Sequence, residues 1–312
     1  MTRISVVVPT YQRAGRLRAL IAGLEAQTLP RQEFEVFIAD NASTDSTASV
    51  LAELARRTEL DLRVLRLERN RGPAPARNAG WRASRSPIVA FIDDDNVPSP
   101  GWLEAGLRAF SDERVGIVQG RTLPDPSQPL RPFHVSQRID QFTNLYETCN
   151  IFYRRSVLEA VGGFDERFGF FGEDTVPGWS ARRLGVAVRF EPEALAHHAV
   201  TYPGVRWHLR WAMHHGKWAG MIRRFPEMRQ EFLWLGVFTK RRHAALLAAL
   251  AGIAVGTQWW PAFALAAPYV WKSRPDSLHP RDVAGKILGA GFDLTVLTSL
   301  VVGSVRERTL VL

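Results

Sequence analysis

Short apolar runs and helical patterns alternate over the first hundred residues. Ile4–Val8 reads as a buried strand, followed by a helical pattern around Arg16–Ala26. Glu35–Ala39 is a second strand run, and a polar turn at Asn41–Asp45 leads into a helix around Thr47–Thr58. Leu62–Leu67 is a third strand, and the Gly/Pro loop Asn70–Pro75 enters a helix around Ala76–Ser84. Ile88–Ile92 is a fourth strand and ends on three aspartates. This order predicts an α/β fold: a Rossmann-like, mostly parallel sheet with helices on both faces. Ligands in such sheets collect beyond the carboxyl ends of the strands.

Residues 120–145, rich in Pro, Gln and polar side chains, read as a mobile loop. A short strand at Ile151–Arg154 follows, then a helix from Ser156, a Gly-Gly turn and an aromatic loop ending in Glu173-Asp174. A helix over about Trp179–Leu184 and strands near Val186–Phe190 and Ala194–His198 complete this part. The expected division is 1–205 as a catalytic domain and 206–312 as a basic, aromatic and apolar helical region.

Charge sharpens that division. Residues 1–205 carry 25 Lys and Arg against 25 acids, whereas residues 206–312 carry 15 against 6. The whole excess of +9 therefore lies in the last third, which predicts an anionic surface as its partner and no nucleic-acid face on the first part. One cysteine, Cys149, excludes an internal disulfide framework and makes a reducing compartment the default. No secretory leader is expected, because the apolar run at Ile4–Val8 is too short and ends in Pro9. Neither a dinucleotide fingerprint nor a P-loop occurs.

Four polar clusters carry the candidate chemistry. Asp93-Asp94-Asp95 ends an apolar strand, and three adjacent carboxylates repel one another unless a cation neutralises them. Carboxylates with phosphate and water oxygens suit Mg²⁺ or Mn²⁺, the competing reading being a solvated acidic turn. Asp40 ends a strand too, and either accepts from a base N–H or serves the turn, while Asp45 reads as a helix cap. Asn70–Gly80 is a glycine-containing loop entering a helix with Arg77, a group that pairs with phosphate or orients an acid. Gly162-Gly163-Phe164-Asp165-Glu166 leads through Phe170-Phe171-Gly172 to Glu173-Asp174, where one acid is either a helix cap or a general base.

Together with Ser5–Tyr11, Asp40–Asp45 and Ala76–Gly80, these clusters resemble glycosyltransferase family 2 over about residues 3–200, in that family's order and spacing. The resemblance implies a GT-A fold, a nucleotide-sugar donor, a divalent metal and inversion at the anomeric carbon. By position it puts Pro9 and Tyr11 in the nucleotide pocket, Asp40 on the base and Arg77 on the diphosphate side. Asp93 and Asp94 face the ribose and sugar, and Asp95 ligates the metal. Asp174 is the implied catalytic base, with Glu173 beside it binding the acceptor or sharing the role. A late metal-binding histidine falls at His197 or His198, of which His198 is carried forward; an ordinary surface pair is the alternative. Thr175-Val176-Pro177 departs from relatives that place a second acid and a leucine there, so acceptor contacts do not transfer.

The tail has its own pattern. Trp207, Trp211, His214, Trp218, Met221 and Phe225 fall at 4-3-4-3-4 spacing with Lys and Arg beside them, which suits a membrane interface or a helix packed on the catalytic domain. Ala244–Trp271 has no charged residue, but Pro261 and the Trp259-Trp260 pair divide it into pieces short for a span. A span, a re-entrant or interfacial hairpin and an Ala-rich soluble helical pair all fit. The expectation is an inverting, metal-dependent enzyme of the hexosyltransferase type at the cytoplasmic face of the cell membrane, peripheral, re-entrant or with one or two segments. It would extend a lipid-linked or cell-surface glycan in envelope polysaccharide synthesis. The alternatives are a soluble transferase with a small-molecule or protein acceptor, and a non-catalytic nucleotide-sugar-binding protein.

Overall fold

The computed structural model describes residues 2–169, 171–274 and 279–312. The chain forms two compact units, Met1–Tyr202 and Pro203–Leu312.

The first unit is built on one eight-stranded sheet. Its strands are β1 (Ile4–Thr10), β2 (Phe34–Asp40), β3 (Leu62–Arg66), β4 (Ile88–Ile92), β5 (Asn96–Pro98), β6 (Val115–Pro124), β7 (Asn150–Arg154) and β8 (Ala187–His198). The spatial order is β3-β2-β1-β4-β7-β6-β8-β5. The first four neighbours are parallel, as the alternation predicts. Beyond β4 the sheet is mixed: β7 runs antiparallel to β4 and β6, β8 is parallel to β6, and β5 is antiparallel to β8. Helices α1 (Ala14–Glu25), α2 (Thr47–Arg57), α3 (Pro73–Ala83), α4 (Trp102–Arg108), α5 (Arg155–Val161) and α6 (Thr175–Arg183) connect them.

The local reasons are plain. β1, β2 and β4 are buried along their whole length and mostly apolar, as strands covered on both faces must be, with Ser5, Thr10, Glu35 and Asp40 the polar exceptions in β1 and β2. Pro9 is tolerated in β1 because the pairing with β4 ends at Val7. Pro73 at the first turn of α3 gives up an amide that the helix would leave unpaired. The main core joins β1, β2 and β4 to Leu17, Leu20, Leu24, Trp102 and Phe152.

Three elements differ from the sequence reading. The segment from residue 120 is not loop at its start, because β6 runs to Pro124. β5 and α4 follow directly on the three aspartates. The two strand runs near 186–190 and 194–198 form a single strand, β8, with a register shift against β6 between Gly120 and Arg121.

The second unit is helical among the described residues: α7 (Val205–Ala212), α8 (Lys217–Arg224), α9 (Met228–Phe232), α10 (Arg241–Gly256), α11 (Ala267–Ser273) and α12 (Pro280–Glu307). The aromatic stripe does not form one helical face. A 3₁₀ turn at Met213–Gly216 interrupts it, Trp207 and Trp211 are exposed and stacked, and Met221 and Phe225 are buried. The uncharged segment divides at the Trp pair into α10, a 3₁₀ stretch at Trp260–Ala266 and α11. Among the described residues, α12 is the one helix long and apolar enough to cross a membrane by length and composition.

Candidate active site

Because β1, β2 and β4 are parallel, Thr10, Asp40 and Asp93–Asp95 reach the same sheet edge. The Thr10 hydroxyl donates to Asp94 Oδ2 at 2.6 Å. Arg13, at the start of α1, lies 3.6 Å from Asp94 and 3.5 Å from Asp95. Burial and the neighbouring Asp95 charge push the Asp94 carboxyl up to about 8, against the pull of Thr10 and Arg13. Arg13 carries no motif of its own in the sequence; only the fold brings it to the acids.

Asp95 faces His198. The antiparallel pairing of β5 with β8 sets Asn96 opposite His198, and His198 Nε2 is 3.5 Å from Asp95 Oδ1. The other ring nitrogen, Nδ1, lies 2.7 Å from the Ala199 carbonyl oxygen. A carbonyl only accepts, so Nδ1 carries a hydrogen, and Nε2 is the ring nitrogen turned toward the carboxylate. A carboxylate oxygen and an imidazole nitrogen facing each other are two groups that can share a cation. One carboxylate and one imidazole suit Mn²⁺ or Mg²⁺, with coordination completed by phosphate oxygens and water. Among the described residues no third His, Cys, Asp or Glu converges there. His197, the preceding residue of β8, lines a small pocket together with Asp94, Asp95, Asp125 and Gln128.

Arg77 ties the two acidic clusters together. From α3 its buried guanidinium donates to Asp93 Oδ1 at 2.9 Å and to Glu173 Oε1 at 3.3 Å. Burial opposes its charge, but Asp93, Glu173 and Asp174 outweigh that and raise its pKa. Arg77 Nε and Glu173 Oε2 are buried without a hydrogen-bond partner. The loop bearing Glu173 is fastened to α3 next door. Asn78 donates to the Phe164 carbonyl at 2.8 Å and accepts from the Phe164 amide at 3.0 Å. Gly163 is required there: its φ is +76°, and a Cβ would lie 2.7 Å from Asn78 Oδ1.

Asp174 caps α6, accepting from the Thr175 amide at 2.9 Å. Burial raises its pKa well above the usual carboxylate range, and the Glu173 charge adds to this while Arg77 opposes it. Glu173 is raised as well, by burial first, against Arg77. Phe170, part of the same aromatic run, lies outside the described residues.

Asp40 is buried, accepts from the Ser43 amide at 2.9 Å and pairs with Arg66 at 2.5 Å. Tyr11, immediately after β1, is exposed, and Pro9 is buried within β1. Asp45 accepts from the Thr47 amide at the start of α2, in keeping with a cap. Sequence reasoning missed Glu147. Its half-buried carboxyl accepts from Thr143, is raised by burial, and adds negative charge near Asp174.

A family model described as "Glycosyl transferase family 2" matches residues 5–164, and one described as "Glycosyl transferase family group 2" matches residues 88–275. The glycosyltransferase AglE of Haloferax volcanii is 30% identical over 175 residues, covering 52% of this chain and 55% of that protein. The pre-mycofactocin glycosyltransferase of Mycobacterium tuberculosis is 30% identical over 238 residues, covering 72% of this chain and 48% of that one. The chain thus spans about half the length of the curated relatives it matches. Among solved structures, the mannosyltransferase PcManGT of Pyrobaculum calidifontis, in complex with GDP-Man and Mn²⁺, superposes with a TM-score of 0.62 at 22% identity, over 98% of this chain and 87% of that one. TarS 1–349 of S. aureus in complex with UDP gives 0.53 at 20% identity, over 99% and 92%. With the first family model covering half of the sequence and the second more than half, the chain belongs to glycosyl transferase family 2 and has the GT-A fold.

Proposed function

We propose that the chain is a metal-dependent inverting glycosyltransferase that moves a sugar from a nucleoside-diphosphate sugar to a hydroxyl of a lipid-linked or cell-surface glycan. The observation that carries this is Arg77, buried between Asp93 of one acidic cluster and Glu173 of the other. A single group joins a donor side to a proton-accepting side at one sheet edge.

In this reading Pro9, Tyr11 and Asp40 hold the nucleoside, and Asp93 and Asp94 hold the ribose and sugar. Asp95 and His198 hold Mg²⁺ or Mn²⁺, which when bound supplies positive charge against the leaving diphosphate. Arg77 adds a second positive charge on that side. Asp174 takes the proton of the acceptor hydroxyl as its oxygen attacks the anomeric carbon opposite the leaving group. Its raised pKa strengthens it as a base, and Arg77 opposes that rise and favours the ionised form. Glu173 positions the acceptor or shares the proton. The neighbours captured with GDP-Man or UDP support the donor class. Residues 1–205 form the catalytic domain and 206–312 a region that meets an anionic membrane at its cytoplasmic face.

A panel of nucleotide sugars screened by thermal shift with Mn²⁺ identifies the donor. Asp174→Asn is then expected to lower kcat by ~10²-fold or more with donor affinity nearly unchanged, since a general base acts in the transition state. An active Asp174→Asn beside an inactive Glu173→Gln reverses their roles. Full activity in both sinks the assignment.

A further inference from the structure

We propose that residues 203–312 dock in the plane of an anionic bilayer as a monotopic element, with α12 lying along the headgroup–acyl boundary rather than crossing it. This deepens the membrane part of the reading above and rests on it.

The first observation is the exposed face of α12. Ala284, Ile287, Leu294, Thr298, Val301 and Val305 are all exposed, at spacings that keep them on one side of the helix. No exposed residue of this stretch between Ala284 and Val305 is charged. Such a stripe is a large uncharged surface for a protein in water.

The second observation is what packs on the other side. The His208 ring is 5.8 Å from that of Phe292, the Gly216 amide donates to Ser299 at 2.9 Å, and Arg223 lies 3.5 Å from Glu307. α7 and α8 therefore accompany α12 from Phe292 to Glu307, about 22 Å of helix at ~1.5 Å per residue. They bring exposed Arg206, Arg210 and Arg223 with them. A crossing α12 would draw these guanidinium groups into hydrocarbon, where nothing solvates them. In the plane of the interface, the same groups meet lipid phosphates. Within the helix, Asp293 is buried and paired with Arg242 at 2.8 Å, one more charge that a span would carry inward.

The third observation is the segment from α10 to α11. Trp259, Trp260 and Trp271 are 63%, 79% and 67% exposed, and the Arg274 guanidinium stacks over Trp271 at 3.9 Å. Tryptophan beside arginine is the composition of a membrane–water boundary. α10 has 16 residues, about 24 Å, short of the ~30 Å hydrocarbon core. The excess of 15 basic over 6 acidic residues in 206–312 supplies the complementarity to anionic lipid.

The test uses the full chain with phosphatidylcholine vesicles, with and without 30 mol% phosphatidylglycerol (about that content suffices for a strong surface charge). The chain is expected to float with anionic vesicles, and high salt is expected to release only part of it. Trp259→Glu with Trp260→Glu is expected to weaken flotation by about tenfold or more while near-UV circular dichroism stays native. Asp282→Cys and Arg308→Cys mark the two ends of α12, and the native Cys149 is buried. Both marks are expected to react with a membrane-impermeant maleimide added outside. If one end reacts only after detergent, α12 crosses and the proposal is overturned. Absence of flotation, or unchanged flotation of the double Trp variant, overturns it too. Donor hydrolysis on the same preparations reports on the catalytic reading independently of lipid.

Discussion

Replacing Arg77 by methionine keeps most of the buried stem and removes the charge between the two acidic clusters. The cost follows from what is left behind. Asp93 is 30% exposed, so water screens it and its share is at most ~1 kcal/mol. Glu173 is buried, and among the described residues Arg77 is the cation paired with its carboxylate. Removing one partner of such a pair costs roughly 3–5 kcal/mol, because the remaining charge must stay buried or take up a proton. We expect a loss near the lower bound, about 3 kcal/mol, since protonation relieves part of it. At roughly 2–4 °C per kcal/mol for a unit of this size, the melting temperature falls by roughly 6–12 °C. The pH dependence gives the sharper check. Glu173 and Asp174 already have folded pKa values above the ordinary carboxylate range, and losing Arg77 raises them further. Over the window from that ordinary range up to the folded values, the native state holds protons that the unfolded chain has released. Stability therefore falls as pH rises through the window. The deficit of Arg77→Met should be smaller at pH 5 than at pH 8, read by denaturant unfolding of variant and wild type at both. A deficit under ~1 kcal/mol, or one that grows on acidification, would refute the bridging role.

Asp95→Ala and His198→Ala are each expected to weaken Mn²⁺ binding in the presence of nucleoside diphosphate by at least ~10-fold, and more than His197→Ala does, as read by electron paramagnetic resonance titration. Gly163→Ala should destabilise by ~2 kcal/mol in chemical denaturation, because its φ of +76° strains any side chain and the new Cβ meets Asn78 and Trp81.

The half of the sheet that could be read from the sequence is the half with one repeating rule. β1 to β4 are parallel, and a clear helical pattern separates each strand run from the next. β6 offers no such signal. Gly116, Gly120 and Pro124 interrupt its apolar run, and its place is secured by a residue far along the chain. Asn150 on β7 donates to the Arg121 and Ala194 carbonyls and accepts from Trp102, holding β6, β8 and α4 around one amide. No local pattern announces a side chain that satisfies three distant elements. Glu147 was hidden for the same reason: its weight comes from nearness to Asp174, twenty-seven positions later in the chain.

The pair His197-His198 defines where composition stops and register begins. Both residues are imidazoles in one strand run, and nothing in their neighbours distinguishes them. A one-residue step along a strand reverses the face, so the choice depends on what each face meets. β5 pairs with β8 so that Asn96 opposes His198, and the backbone amide of Ala199 donates to the Asp95 carbonyl at 2.8 Å. That register brings Asp95 Oδ1 and His198 Nε2 together, and the Ala199 carbonyl holds the ring by its other nitrogen, Nδ1. β5 has only three residues and begins one position after the aspartates. A shift of one residue in so short a strand would set His197 opposite Asn96 in place of His198. The register of that pairing, more than the presence of either histidine, is what sets the His198 Nε2 atom 3.5 Å from Asp95 Oδ1.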